Sequence, residues 1–165
     1  MLTRLHDSGR DRGQLALLVI GYVAITGLLI VVGIDVSKVF LARRALSSAA
    51  DAAALAAAQA VDRAAIYSGD AGGCGALLPL DVDRAAQLAG QSVADDLDSL
   101  RQTFGTVDPP ETLVAGGTVT VHLSGDIAVP FGGVLALLVP GHGDGRVHVG
   151  VSASAQSPLS APGGC

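Results

Sequence analysis

Residues 13–66 read GQLALLVIGYVAITGLLIVVGIDVSKVFLARRALSSAADAAALAAAQAVDRAAI, and the change of pattern inside that stretch decides the fold. From Gly13 to Ile34 no residue is charged. At ~1.5 Å per residue such a run exceeds the ~30 Å of a bilayer's hydrocarbon core, so it reads as a transmembrane helix. From Asp35 onward the pattern gains a polar side, with Arg44, Ser48, Asp51, Gln59 and Asp62 on one face. Val39, Ala42, Leu46, Ala49, Ala53, Ala57, Ala60 and Ala64 recur on the other at steps of three or four, the mark of an amphipathic helix. Alanine has the best intrinsic helix propensity, and no breaker separates the two parts. One helix is therefore predicted over 14–66, on the order of 80 Å long.

Outward from this helix the chain changes character twice. The first twelve residues, MLTRLHDSGRDR, are polar and lack an apolar repeat, which predicts a short tail. Beyond Tyr67, Gly69, Gly72, Gly73 and Gly75 stop the helix and predict a loop up to Pro79. Asp81 then offers an N-cap, Asp83 favours the positive end of a helix dipole, and Val82, Ala85, Ala86, Ala89, Val93, Leu97 and Leu100 form one face until Gly105. After Asp108-Pro109-Pro110 the period becomes two. Val119, Val121 and Leu123 alternate with polar residues, as do Val147, Val149, Val151, Ala153 and Ala155, so these runs are expected to pair as antiparallel strands with one buried face. The apolar FGGVLALLVPGHGDG between them is expected as a short helix at the sheet end. The fold class is α+β: a transmembrane helix continuing as a long extracytoplasmic helix, a second helix and a small antiparallel sheet.

Composition narrows the function. The chain has 165 residues, and about 130 remain after the apolar run, enough for one small domain. Aromatic residues are 3% and Trp is absent, so the core must be aliphatic. Met1 to Arg44 carries six basic and three acidic residues, while Ala45 to Cys165 carries four basic and twelve acidic. An acidic distal part without a basic, aromatic-interleaved patch argues against a nucleic-acid partner. A cleaved signal peptide is disfavoured, since the apolar run outlasts the ~7–15 residues of an h-region and Asp35-Val36-Ser37-Lys38 offers no small-x-small site. Arg4, Arg10 and Arg12 are balanced by Lys38, Arg43 and Arg44 across the span, so charge does not orient it. Size does: a long C-terminal domain translocates largely regardless of charge, which places the N-terminus in the cytoplasm and the bulk outside.

Chemistry is sparse. No nucleophile elbow, P-loop, H-E-x-x-H or CxxC is present, which argues against an enzyme, and no catalytic, cofactor-binding or small-molecule site is assigned. His122 and His148 could face each other across the strand pair, but lack a third ligand, so no metal site is assigned. Asp95, Asp96 and Asp98 lack the spacing of a calcium loop and read as a solvated helix face. Asp35 either marks the membrane interface, neutralised by Lys38 at i, i+3, or pairs with another subunit. Cys74 and Cys165 both lie in the part expected outside, where a disulfide is permitted; neither its presence nor its absence follows from the sequence.

Arg12-Gly13-Gln14, the apolar span, Gly33-Ile34-Asp35-Val36, Ala42-Arg43, Leu46 and the run Ala49-Ala50-Asp51-Ala52-Ala53-Ala54-Leu55-Ala56 together resemble the N-terminal segment of TadE/TadG-like proteins of the tight-adherence, or Flp, pilus assembly system. The motif positions are Arg12, Gly13, Asp35, Leu46, Ala50, Asp51, Ala54 and Leu55. The resemblance implies a pseudopilin or accessory membrane protein of a type IV-like pilus or secretion apparatus, whose partners are the lipid bilayer and other pilus-assembly membrane proteins or pilins met through the helix. It also implies a candidate processing site between Gly13 and Gln14, although Leu18 stands where processed pilins carry Glu. The expected organisation is a cytoplasmic tail over 1–12, a span over 13–34 bounded by Gly13, Ile34 and Asp35, a helical stalk over 35–66, an α+β domain over 67–157 and a tail over 158–165. The competing expectation is a membrane-tethered binding or sensor domain unrelated to pili.

Overall fold

The computed structural model describes residues 10–68, 77–132 and 145–157, with side chains from residue 14 onward. The expected short helix over 131–145, both cysteines, the glycine-rich run at 69–75 and the two tails lie wholly or largely outside these residues. The architecture is α+β, as the change of period predicts. Helix α1 spans Arg10–Ala57, α2 Arg63–Ser68 and α3 Val82–Thr103; the strands are β1 Thr106–Val107, β2 Glu111–Ala115, β3 Thr118–Ala128 and β4 Arg146–Gln156.

Helix α1 has 48 residues, about 72 Å at ~1.5 Å each, and its two halves live in different surroundings. From Leu15 to Ile30 the large apolar side chains point outward all round, with exposures from 42% at Leu28 to 73% at Leu17, while Val31 and Val32 are half-buried. From Ala42 to Ala60 the predicted apolar face is buried: Ala42, Leu46, Ala49, Ala53 and Ala57 pack into the core with α3 and the inner face of the sheet, joined by Ala50 and Ala54, whereas Ala64 is exposed. The second half of α1 is therefore the central helix of the domain. Close approach of α3 to α1 requires small side chains at the contact, which is why alanine fills it.

The predicted continuation of α1 to Ile66 does not occur. Ala58 makes a last helical bond to Ala54, at 2.9 Å, and Gln59 and Ala60 tighten into i→i+3 bonds to Ala56 and Ala57. Val61 then pairs with Leu80 as an isolated β-bridge, flanked by Asp62 N to Pro79 O at 2.9 Å and Asp81 N to Ala60 O at 2.8 Å. Asp62 caps the separate α2 by accepting from the amides of Ala64 and Ala65 at 2.9 and 3.2 Å. Burial of Ala60 and Leu80 at this crossing outweighs the few tenths of a kcal/mol per residue that propensity offers for continuing.

Helix α3 starts as predicted, with the Asp81 side chain accepting from Arg84 N at 3.1 Å, and buries Ala85, Ala89, Val93 and Leu100. Strand β3 is the centre of the sheet. It pairs antiparallel with β4 along its whole length, Thr118 opposite Gln156 and Ala128 opposite Arg146, and on its other edge first with β2 and then with β1. Val119, Val121, Leu123 and Ile127 face the helices, so the expected single buried face is present. Strands β1 and β2 add to the pair expected from the sequence. A two-residue turn joins β2 to β3, with Gly116 at φ 59°, the conformation a hairpin turn asks of its first central residue.

These pairings give the domain two ends. At one lie Ala57–Ala60, Leu80, Asp81 and the β2–β3 turn, where Ser157 N donates to Gly117 O at 2.7 Å. At the other, the apolar half of α1 meets the end of α3 and the open end of the β3–β4 pair, where Val129 N donates to Gly145 O at 2.9 Å.

Candidate functional site

The chain's distinctive feature is the joint at this second end, where the exposed half of α1 becomes the buried half. Asp35 sits there, only 6% exposed. Its Oδ1 accepts from the amide of Phe131 at 3.3 Å, while Oδ2 has no hydrogen-bond partner. The expected neutralisation by Lys38 is absent: Lys38 instead turns toward the other side of α1. There it borders, with Leu41, a cavity of about 240 Å³ closed by Gln102 and Thr103 of α3 and Ile127 and Ala128 of β3. The i, i+3 spacing puts Asp35 and Lys38 one turn apart, but tertiary packing pulls the two side chains onto different neighbours. On the Asp35 side an apolar groove of about 400 Å³ runs between Val36, Val39, Phe40 and Arg43 of α1 and Val129 and Val147 of the strand ends.

The motif residues separate by depth. Leu46, Ala50 and Ala54 are fully buried, whereas Asp51 and Leu55 face solvent. Arg12 and Gly13 belong to the backbone of α1, with side chains outside the described residues. The alanine face that the sequence offers for packing against neighbouring helices is thus covered within the chain by α3 and the sheet. Outward-facing residues of α1 beyond Ile34 include Val36, Lys38, Phe40, Leu41, Arg43, Arg44, Ser48, Asp51, Ala52 and Leu55.

The two histidines do not meet. His122 lies opposite Ser152 and His148 opposite Asp126, four residues along the strands or about 13 Å apart. Among the described residues no group of three or more His, Cys, Asp or Glu is placed to hold a metal. His148 Nδ1 instead lies 3.0 Å from Asp126 Oδ1, and Thr106 donates to Asp126 Oδ2 at 3.2 Å. The hydrogen bond from His148 holds the Asp126 carboxyl below the usual carboxylate range. Sequence reasoning missed this cross-strand pair because it depends on register, which a one-residue slip would undo. Asp95, Asp96 and Asp98 lie on the exposed face of α3, where Asp98 and Arg101 are 4.0 Å apart in solvent, so the solvated reading holds.

A polar cleft of about 740 Å³ lies farther from the joint, bordered by Arg43 and Ser47 of α1, Asp108, Glu111, and His122, Ser124 and Ser152 of the sheet. Ser124 donates to Asp108 across it at 2.6 Å.

Fold and joint together define a class: a small α+β domain built around the distal half of one long helix whose proximal half is apolar on every side. One helix among the described residues is long and apolar enough to cross a membrane, and its most apolar window is wholly unburied. Residues 13–60 match the family model of putative Flp pilus-assembly TadE/G-like proteins, so the resemblance carried by the motif holds over those residues. No curated protein and no solved structure matches the chain. The match supports a role related to Flp pilus assembly.

Proposed function

We propose that this chain is a membrane-anchored, non-enzymatic structural component of an Flp-type pilus assembly apparatus, a pseudopilin or accessory protein of the TadE/TadG-like kind. Residues 13–34 anchor it, the N-terminus lies in the cytoplasm and the α+β domain lies outside. The carrying observation is the exposure of every large apolar side chain from Leu15 to Ile30, and of Ile34, on a helix that is otherwise a core element. In water that surface would drive association, and a bilayer removes it from water without a protein partner.

Because the alanine face is consumed inside the domain, other pilus-assembly proteins are met through the span and through outward residues such as Leu55. Leu18 in place of Glu favours a chain retained whole, with Gly13-Gln14 intact in the mature protein. Affinity purification of the full chain from membranes, combined with counting pili in a deletion strain, tests the role. Co-purification of pilus-assembly proteins and loss of piliation are expected; normal piliation with no such partner overturns it. The polar cleft beside Arg43, Glu111 and His122 favours one second reading, a membrane-tethered binding or sensor domain, and that result would select it.

A further inference from the structure

The joint fixes how far the domain stands from the end of the span. The Asp35 carboxylate holds the amide of Phe131 at 3.3 Å, so the open end of the β3–β4 pair lies level with the first residue after the apolar run. Lys38 and Leu41 share a cavity with Gln102, Thr103 and Ala128, so the end of α3 comes down to the same level. No length of bare helix separates span from domain.

The surface at that level has the chemistry of a lipid interface. Val36, Phe40 and Leu41 are large, apolar and 62%, 65% and 62% exposed, although they lie beyond the span. They stand on the order of 3–10 Å past Ile34 along the helix, at ~1.5 Å per residue, which is the depth of the headgroup layer. Charge agrees with this position. The part of the chain after Ala45 is acidic, yet Lys38, Arg43 and Arg44 of α1 and Arg101 in the last turn of α3 gather toward this end. Helical side chains lean toward the helix N-terminus, a direction that on a bilayer would carry the arginine heads toward phosphate groups while their stems cover apolar surface. Of the carboxylates near this end, Asp35 is turned inward onto Phe131, Asp126 is held by His148 and Thr106, and Asp98 lies 4.0 Å from Arg101.

We infer that this end of the domain is a membrane-binding base: Val36, Phe40 and Leu41, rimmed by Lys38, Arg43 and Arg101, seat the domain on the headgroup layer of an anionic bilayer. The inference rests on residues 13–34 spanning the membrane. It adds a second contact between protein and lipid, one that keeps the domain from pivoting on its anchor. Continuity with the span commits the surface to lipid in preference to a second protein.

The chain has no Trp, so single tryptophans report depth without background. The full chain is reconstituted in vesicles of phosphatidylethanolamine and phosphatidylglycerol carrying bromine near the headgroup end of the acyl chains. Leu28→Trp reports the span, Phe131→Trp and Ala128→Trp the base, and Val82→Trp the far end of the domain. Quenching severalfold stronger at 131 and 128 than at 82, together with quenching at 28 by lipid brominated deeper in the chain, is expected. Quenching at 28 with none at either 131 or 128 overturns the base and leaves the anchor standing. No quenching at 28 overturns the anchor itself. Blue-shifted but unquenched emission at 128 and 131 shows a protein covering this end and also overturns the proposal.

Discussion

Replacing Ala53 by leucine separates an internal from an external use of the alanine face. Ala53 is fully buried in the cluster that α1 forms with α3 and the sheet. Leucine adds three carbons where no void receives them, and overpacking of this kind costs about 1–3 kcal/mol. A domain of this size has a total stability of about 5–15 kcal/mol, so the loss is a large fraction of it. Each kcal/mol moves the melting temperature of such a domain by about 4–8 °C, which puts the expected fall on the order of 10 °C. Ala52 is exposed one residue away, and Ala52→Leu makes the same chemical change at nearly equal helix propensity. That control should stay within about 0.5 kcal/mol of the parent. Scanning calorimetry of the full chain in detergent micelles reads both. An unchanged melt for Ala53→Leu, with partner proteins lost on purification, would show that the alanines pack between chains and refute the reasoning.

Leu46→Ala should cost about 2–5 kcal/mol, because Leu46 is among the largest fully buried side chains, whereas Leu55→Ala should be near neutral in the same melt. Gly125→Ala should destabilise, since its new Cβ would stand 2.7 Å from the Thr106 carbonyl oxygen and 3.1 Å from the Phe104 ring; Gly150→Ala, with open space around it, is the comparison in an otherwise identical calorimetric series. Asp126 has a lowered pKa in the folded chain, chiefly through His148, so its contribution is complete above the ordinary carboxylate value of 3.8 and disappears as pH falls through the folded value. Melting temperatures of the parent and Asp126→Asn should accordingly differ at neutral pH and converge in strong acid; curves that stay parallel throughout would count against the pair.

Much of this fold could be read from periodicity because single faces decide it. The spacing of Ala42, Leu46, Ala49, Ala53 and Ala57 named the buried side of α1, and the two alternating runs named β3 and β4 and their pairing. What could not be read depends on contacts distant in sequence. Propensity said nothing against carrying α1 through Ala60, and only the bridge from Val61 to Leu80 ends it there. Asp62 was the one local sign, an N-cap residue ahead of Arg63-Ala64-Ala65. Gly116-Gly117 between Val114 and Val119 was a hairpin signal that would have revealed β2, while β1, two residues long, exists only because Gly125 lets its backbone approach.

The site was legible as residues and not as relations. Asp35 is a charge at the end of an apolar run, and Lys38 is the nearest cation to it in sequence. The fold gives Asp35 a backbone amide ninety-six residues away instead, and that choice has a mechanical consequence. The family segment over 13–60 ends within three residues of the end of α1 at Ala57, so the matched unit is one helix that serves at once as candidate anchor and as domain core. Under the proposed anchoring, a helix used twice in this way cannot tilt in the bilayer without carrying the domain with it, because Leu46 and its alanines are interlocked with α3 and the sheet. The Ala-Asp-Ala-Ala-Ala-Leu-Ala run therefore ties the apolar half of α1 to the domain through Ala50, Ala53 and Ala54, and Asp51, Ala52 and Leu55 are its exposed members.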